Sequence, residues 1–217
     1  IEAEIQHEFT INGGDGMAYH PIVASGENAC FLHYTDNNDE CVDGQLLLMD
    51  FGAEYANYAA DITRTIPVNG RFTRRQREYY EAVLRVQRAA IKLLVPGNTI
   101  DKLNKEVGKL MEGEMINLGL LDAKEVSGQA PDKPLYMKYF MHGTSHFIGL
   151  DVHDVGSKYE PFQAGMVFTV EPGLYIREEK TGIRLENNIL VTDQGPVDLT
   201  AGIPIEPDEI EKLMGMG

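Results

Sequence analysis

Positive charge is scarce in this chain: 19 lysines and arginines stand against 34 aspartates and glutamates, a formal net charge of −15 over 217 residues. So acidic a surface repels phosphate backbones and excludes nucleic-acid binding through a basic face. Cysteine is nearly absent. Cys30 and Cys41 are the two present, without CxxC spacing, so no zinc or redox signature exists and free thiols are expected. No apolar run approaches the roughly 20 residues that a membrane helix needs, and no signal-peptide pattern opens the chain. No membrane partner and a cytoplasmic location follow as expectations. The chain also lacks an initiating methionine. Ile1 comes first, and residues 1–9 read as the tail of an amphipathic helix already under way. More protein is therefore expected upstream, with residues 1–217 as one folding unit.

The order of elements is strands, two helices, strands. A turn cluster, Asn12-Gly13-Gly14-Asp15-Gly16, lacks the GK[ST] of a phosphate loop and reads as a connector. Strand-like stretches follow at residues 18–23, 29–34 and 45–51, then at 61–66. Thr73 is placed to cap a helix carrying Tyr79, Val83, Val86, Ala90 and Leu94 on one face and stopping at Pro96-Gly97. Asn98 or Thr99 caps a second, with Ile100, Leu103, Val107, Leu110 and Met111 together, ending near Gly119. Residues 127–133 form a polar loop. Strands return at 140–150, 166–171, 174–176 and 183–192, and a short helix closes the chain at 207–213. No linker rich in Ser, Gly or Pro divides the chain, so a mixed α+β unit is expected.

The chemistry lies in a repeated placement of acids. Asp50 ends the run Leu46-Leu47-Leu48-Met49, and Asp61 opens the next strand-like stretch eleven positions later. In the second half Glu171 ends Met166-Val167-Phe168-Thr169-Val170, and Glu186 follows fifteen positions on. Each pair reads as neighbouring strands of an antiparallel hairpin with acids facing across it. A carboxylate in an apolar strand is costly without a cation, and four together repel. Arg64 and Arg184 are the only close cations in sequence. Any one acid alone is better read as a strand cap or an arginine partner, but four in symmetric places point to divalent metal. Residues 142–154 add His142, His146 and His153. His142 and His146 are four apart, as in a zinc helix, but the Glu of HExxH is missing and Gly143, Thr144 and Gly149 disfavour a helix. A strand or loop presenting His146 inward is expected. Four carboxylates and one imidazole suit two hard or borderline ions, Mn²⁺ above Zn²⁺, with Co²⁺ a substitute.

These residues resemble the aminopeptidase P and prolidase group. The motifs are Met49-Asp50-Phe51-Gly52 with Asp61-Ile62-Thr63-Arg64-Thr65, then residues 142–153, Thr169-Val170-Glu171-Pro172-Gly173-Leu174-Tyr175, and Gly182 to Glu186. The resemblance implies the pita-bread fold, two pseudo-symmetric halves of antiparallel strands flanked by helices, and a metallopeptidase catalytic domain whose N-terminal partner domain lies upstream. It implies Asp50, Asp61, His146, Glu171 and Glu186 as ligands of two ions, with Asp61 and Glu186 bridging. It gives Glu171 the role of general base and then acid, acting on a water held between the ions. His153 would meet the scissile carbonyl oxygen. His33 and His142 would line the proline side, with Tyr175 and Arg184 close by. The implied activity is removal of the residue preceding proline from a peptide's N-terminus, in a protein that assembles as a homo-oligomer at full length. Prolidase, a dipeptidase with the same ligands, and a non-catalytic module of the same fold are the alternatives. One departure stands out: Asn187 and Asn188 carry amides where many relatives have acids.

Overall fold

Pro21 has no N–H to give a strand ladder, and the strand expected over 18–23 begins only after it. The computed structural model describes residues 1–215. After helix α1 (Glu2–Ile11), strands β1 (Gly16–Met17) and β2 (Ile22–Ser25) stand on either side of Pro21. Tyr19 and His20 lie in the gap. The strand expected at 29–34 does not form. A 3₁₀ turn (Gly26–Cys30) and a further turn closed by Tyr34 N–H to the Phe31 carbonyl take its place. Helix α1 buries no residue. Cys30 and Cys41 are free thiols.

Two hairpins of like design follow. In the first, β3 (Leu46–Phe51) pairs antiparallel with β6 (Ile62–Pro67), and a smaller hairpin, β4 (Ala53–Tyr55) and β5 (Tyr58–Ala59), is inserted between them. β2 covers the outer edge of β3 and β1 that of β4. Leu46, Leu47 and Leu48 are all buried, so β3 is enclosed on both faces. The register sets Asp50 opposite Thr63, so the first two acids are neighbours on adjacent strands but are not directly paired. Gly52 sits where the strands diverge. A Cβ there would lie 1.7 Å from the Ala60 carbonyl oxygen.

The second hairpin repeats the arrangement. β7 (Val167–Val170) pairs with β10 (Asn187–Leu190), and β8 (Gly173–Ile176) with β9 (Thr181–Arg184) between them; β11 (Val197–Asp198) extends the sheet beyond β10. The single strand expected over 183–192 is interrupted at Leu185-Glu186. There the backbone turns across to the first half, with Glu186 N–H donating to the Thr63 carbonyl at 3.1 Å. The strand expected at 140–150 is an irregular segment instead. It runs along β7 through Glu171 N–H to Thr144 O, Thr169 N–H to His146 O and a lone bridge between Phe147 and Phe168.

The helices cover one side of both hairpins. Thr73 caps α2 (Arg74–Ile91) in a capping box with Gln76. The helix ends at Ile91, before the predicted stop; residues 92–95 continue as tight turns, and Gly97 and Asn98 pair with Phe162. Thr99 caps α3 (Ile100–Asn117), whose buried stripe is Ile100, Leu103, Val107, Met111 and Met115. Leu110, expected on that face, is exposed; it lies about 100° around the helix from Met111. The segment expected as loop after Ser127 is preceded by an unforeseen short helix, α4 (Ala123–Ser127), capped by Asp122. The closing helix α5 (Pro207–Met214) forms as expected. Tyr79, Tyr80, Val83 and Leu94 join Leu103, Met111, Phe168, Leu174 and Ile183 in one core. No helix of the described residues is long and apolar enough to cross a membrane.

Gly52→Ala should destabilise the chain by about 3 kcal/mol, the upper part of the usual overpacking range, because its neighbour is backbone and cannot swing aside. Urea unfolding measures it; unchanged stability would mean that the β3–β4 junction yields freely.

Candidate metal centre

Each nested hairpin delivers two acids to the line where the halves meet, and an amide stitches that line together. Asp61 N–H donates to Asn188 Oδ1 at 3.1 Å, and Asn188 Nδ2 donates back to the Asp61 carbonyl at 2.5 Å. An aspartate at 188 could accept but not donate, so the departure noted in the sequence has a structural use. Thr63 Oγ1 donates to Glu186 Oε2 at 2.6 Å from the opposite half. The acids are thus fixed by backbone and short side chains.

Asp50, Asp61 and Glu186 are buried and Glu171 is half-buried. All four line one cavity of about 470 Å³ together with His33, His142, His146, His153 and Arg184. Ligand atoms of Asp61, His146 and Glu186 lie within 4.8 Å of one another. His146 Nδ1 lies 2.9 Å from the Phe147 carbonyl, which places a proton on Nδ1 and turns Nε2 towards the acids. That nitrogen is 3.4 Å from Asp61 Oδ2 and 3.8 Å from Glu171 Oε1. Tyr175 is buried behind the wall. Its hydroxyl accepts from Arg184 Nη1 at 3.0 Å and reaches His142 Nε2 at 2.8 Å. His142 Nδ1 meets the Gly143 carbonyl at 2.7 Å, so both nitrogens of that ring are occupied.

Of the two arginines close in sequence, only Arg184 meets a carboxylate, Asp50 Oδ2 at 2.5 Å. Arg64 gives its guanidinium to the backbone carbonyls of Thr63, Glu186, Ile203 and Pro204. One guanidinium and one imidazole cannot balance four acids. Burial, then the neighbouring Asp61, Glu171 and Asp50, push Glu186 well above the carboxylate range. Burial raises Glu171 to about 7, against the pull of His146 and Arg184. Burial lowers His142 to about 4, helped by Arg184, and lowers His153, helped by His146. Burial opposes charge on His146, but the hydrogen bond to Asp61 and the charge of Glu171 outweigh it and its pKa rises.

Two further observations test whether a divalent cation suits this donor set. Glu186 Oε1 is buried and has no hydrogen-bond partner among the described residues, an expensive condition for a carboxylate oxygen. The Tyr19 hydroxyl lies 2.5 Å from both Asp50 Oδ1 and Asp61 Oδ1, although it has one proton to give. Crowded carboxylates, one with an unpaired oxygen, converging with a ring nitrogen fit a cation well. Tyr19 escaped the sequence reading, as did His20 on the cavity wall. Nothing in the local pattern separates Tyr19 from the other nine of the chain's 10 tyrosines.

The model of metallopeptidase family M24 matches residues 1–193. The chain belongs to that family. It is 46% identical to the Xaa-Pro aminopeptidase of Haemophilus influenzae, with 99% of this chain and 52% of the relative aligned. It is 45% identical to the Xaa-Pro aminopeptidase of Escherichia coli, over 99% of this chain and 51% of that one. Solved structures of E. coli aminopeptidase P superpose with a TM-score of 0.91 at 44% identity, covering 99% of this chain and 51% of theirs. One is zinc-substituted with product and another holds the inhibitor Pro-Leu. The M24 fold is thus the pita-bread fold expected of the chain, and the chain spans about half the length of these relatives.

Asn188→Ala should cost about 1–3 kcal/mol, because both backbone groups of Asp61 lose their partner at a buried position. Thermal unfolding measures this, and an unchanged melting temperature would mean that the backbone of Asp61 is held by other means.

Proposed function

We propose that this chain forms the catalytic part of an Xaa-Pro exopeptidase that uses two divalent ions, Mn²⁺ first among them. The observation that carries the reading is the convergence of Asp50, Asp61, Glu171 and Glu186 with His146 in one cavity, where a buried Glu186 oxygen lacks any partner among the described residues. The names of the similar bacterial enzymes supply the substrate class. Asp50, Asp61, His146, Glu171 and Glu186 would hold the ions. Ions held there supply Lewis acidity and a water acidified towards neutrality.

The protein's own groups do the remainder. Glu171, with a pKa raised towards neutrality by burial, takes a proton and returns it to the leaving imide nitrogen. His153 is held below its ordinary pKa and so is neutral; its ring N–H donates to the carbonyl oxygen as charge builds there. Proline offers no N–H to recognise, so shape must select it. Ile22, Leu32 and Val152 give the cavity an apolar wall beside His33 and His142. His142 acts as a fixed wall, because both of its nitrogens are engaged. Arg184 and Tyr175 brace that wall against Asp50. Excess carboxylate suits the free α-ammonium of an N-terminal residue.

The test is hydrolysis of Xaa-Pro-Xaa tripeptides and Xaa-Pro dipeptides after Mn²⁺ addition, with metal counted by mass spectrometry. About two ions per chain, the dinuclear count, with tripeptide cleavage are expected. Cleavage of dipeptides alone would make the enzyme a prolidase, and no metal with no turnover would leave a binding module. Asp61→Ala should abolish both metal uptake and turnover; full activity in that variant would exclude a two-ion site.

A further inference from the structure

His153 makes no hydrogen bond through its ring among the described residues. It rests edge-on against His146, with ring centroids 4.3 Å apart. Its position is therefore set by its backbone, which belongs to an irregular loop, residues 149–155. That loop has almost no core of its own: Leu150 is 73% exposed and Val155 88%. Val152 alone turns an apolar side chain inward, so hydrogen bonds carry most of the loop's shape.

Asp154 supplies the bonds that close the loop. Its Oδ2 accepts from Leu150 N–H at 3.0 Å and its Oδ1 from Val155 N–H at 2.7 Å. Its own N–H donates to the Phe147 carbonyl at 3.0 Å. One carboxylate thus ties the start of the loop to its end, with His153 next to the knot. The fit is close: a Cβ on Gly149 would lie 2.3 Å from Asp154 Oδ2. The neck is pinned to the other half of the molecule, where Ala59 N–H donates to the Gly149 carbonyl at 2.8 Å and the Tyr58 hydroxyl to the Ile148 carbonyl at 3.2 Å.

We infer that Asp154 is a positioning residue for the hydrolytic step: by closing the 149–155 loop it holds the His153 imidazole at the reacting carbonyl. The inference rests on the Xaa-Pro hydrolysis proposed above. Charged hydrogen bonds to backbone N–H groups are among the stronger ones, and a small misplacement of a catalytic group costs orders of magnitude in rate.

A double-mutant cycle with Asp154→Ala and His153→Ala tests it, reading kcat, KM and metal content with a Xaa-Pro-Xaa tripeptide. Asp154→Ala alone should lower kcat by about 10- to 100-fold, with metal content unchanged and little change in KM. In the His153→Ala background the same substitution should cost less than about 2-fold, since the group it positions is gone. Asp154→Asn, which keeps one acceptor oxygen for the two N–H groups of Leu150 and Val155, should fall between and serves if the alanine variant does not fold. Equal losses in both backgrounds, wild-type kcat in Asp154→Ala, or loss of metal would each overturn the inference while wild type still cleaves the tripeptide. A wild-type protein that binds metal and cleaves no Xaa-Pro peptide would overturn the functional reading, and this inference with it.

Discussion

Mutual repulsion among buried carboxylates is the constraint around which this molecule is organised. Asp50, Asp61, Glu171 and Glu186 are brought together by two nested hairpins, and no quantity of apolar packing cancels the cost of crowding them. The surrounding architecture answers that cost in three ways. Arg184 brings a buried guanidinium to Asp50. Thr63 and Tyr19 supply hydroxyl protons to the acids. Strands and cross-half hydrogen bonds hold the backbone so that the acids cannot relax apart. The counter-charge left over is the share that a divalent ion is suited to provide.

Much of this was legible from the chain alone, for one physical reason. An acid at the end of a Leu- or Val-rich run breaks the local rule so plainly that only a special environment explains it. Asp50 after Leu46-Leu47-Leu48-Met49 and Glu171 after Phe168-Thr169-Val170 are of this kind. The two long helices were also legible, because Thr73 and Thr99 carry their capping signals locally. Tyr19 was not, and the partners of Thr63 and Asn188 were not. The groups these three meet are 42, 123 and 127 residues away, and nothing local says which they are. The irregular course of residues 140–150 was hidden too, since its alternation is that of a strand while its backbone follows β7 only in places.

The two halves are alike in plan and unlike in what they contribute. The first presents two aspartates, short side chains held close to their strands, and the second two glutamates with a longer reach. The inner hairpins differ likewise. β4–β5 reaches out to hold the neck of the His153 loop, whereas β8–β9 brings Tyr175 and Arg184 inward behind the cavity. The pseudo-symmetry therefore belongs to the backbone, and division of labour arises in the side chains and the inserted hairpins.

The grip of Ala59 and Tyr58 on the 148–149 backbone turns the molecule into something like a vice with one fixed jaw. The acids sit on the bed, welded strand to strand, while the histidine-bearing loop is clipped to the opposite half. Because the acids are themselves stitched across the two halves, a shift of one half against the other would disturb the imidazole and the acid cluster together.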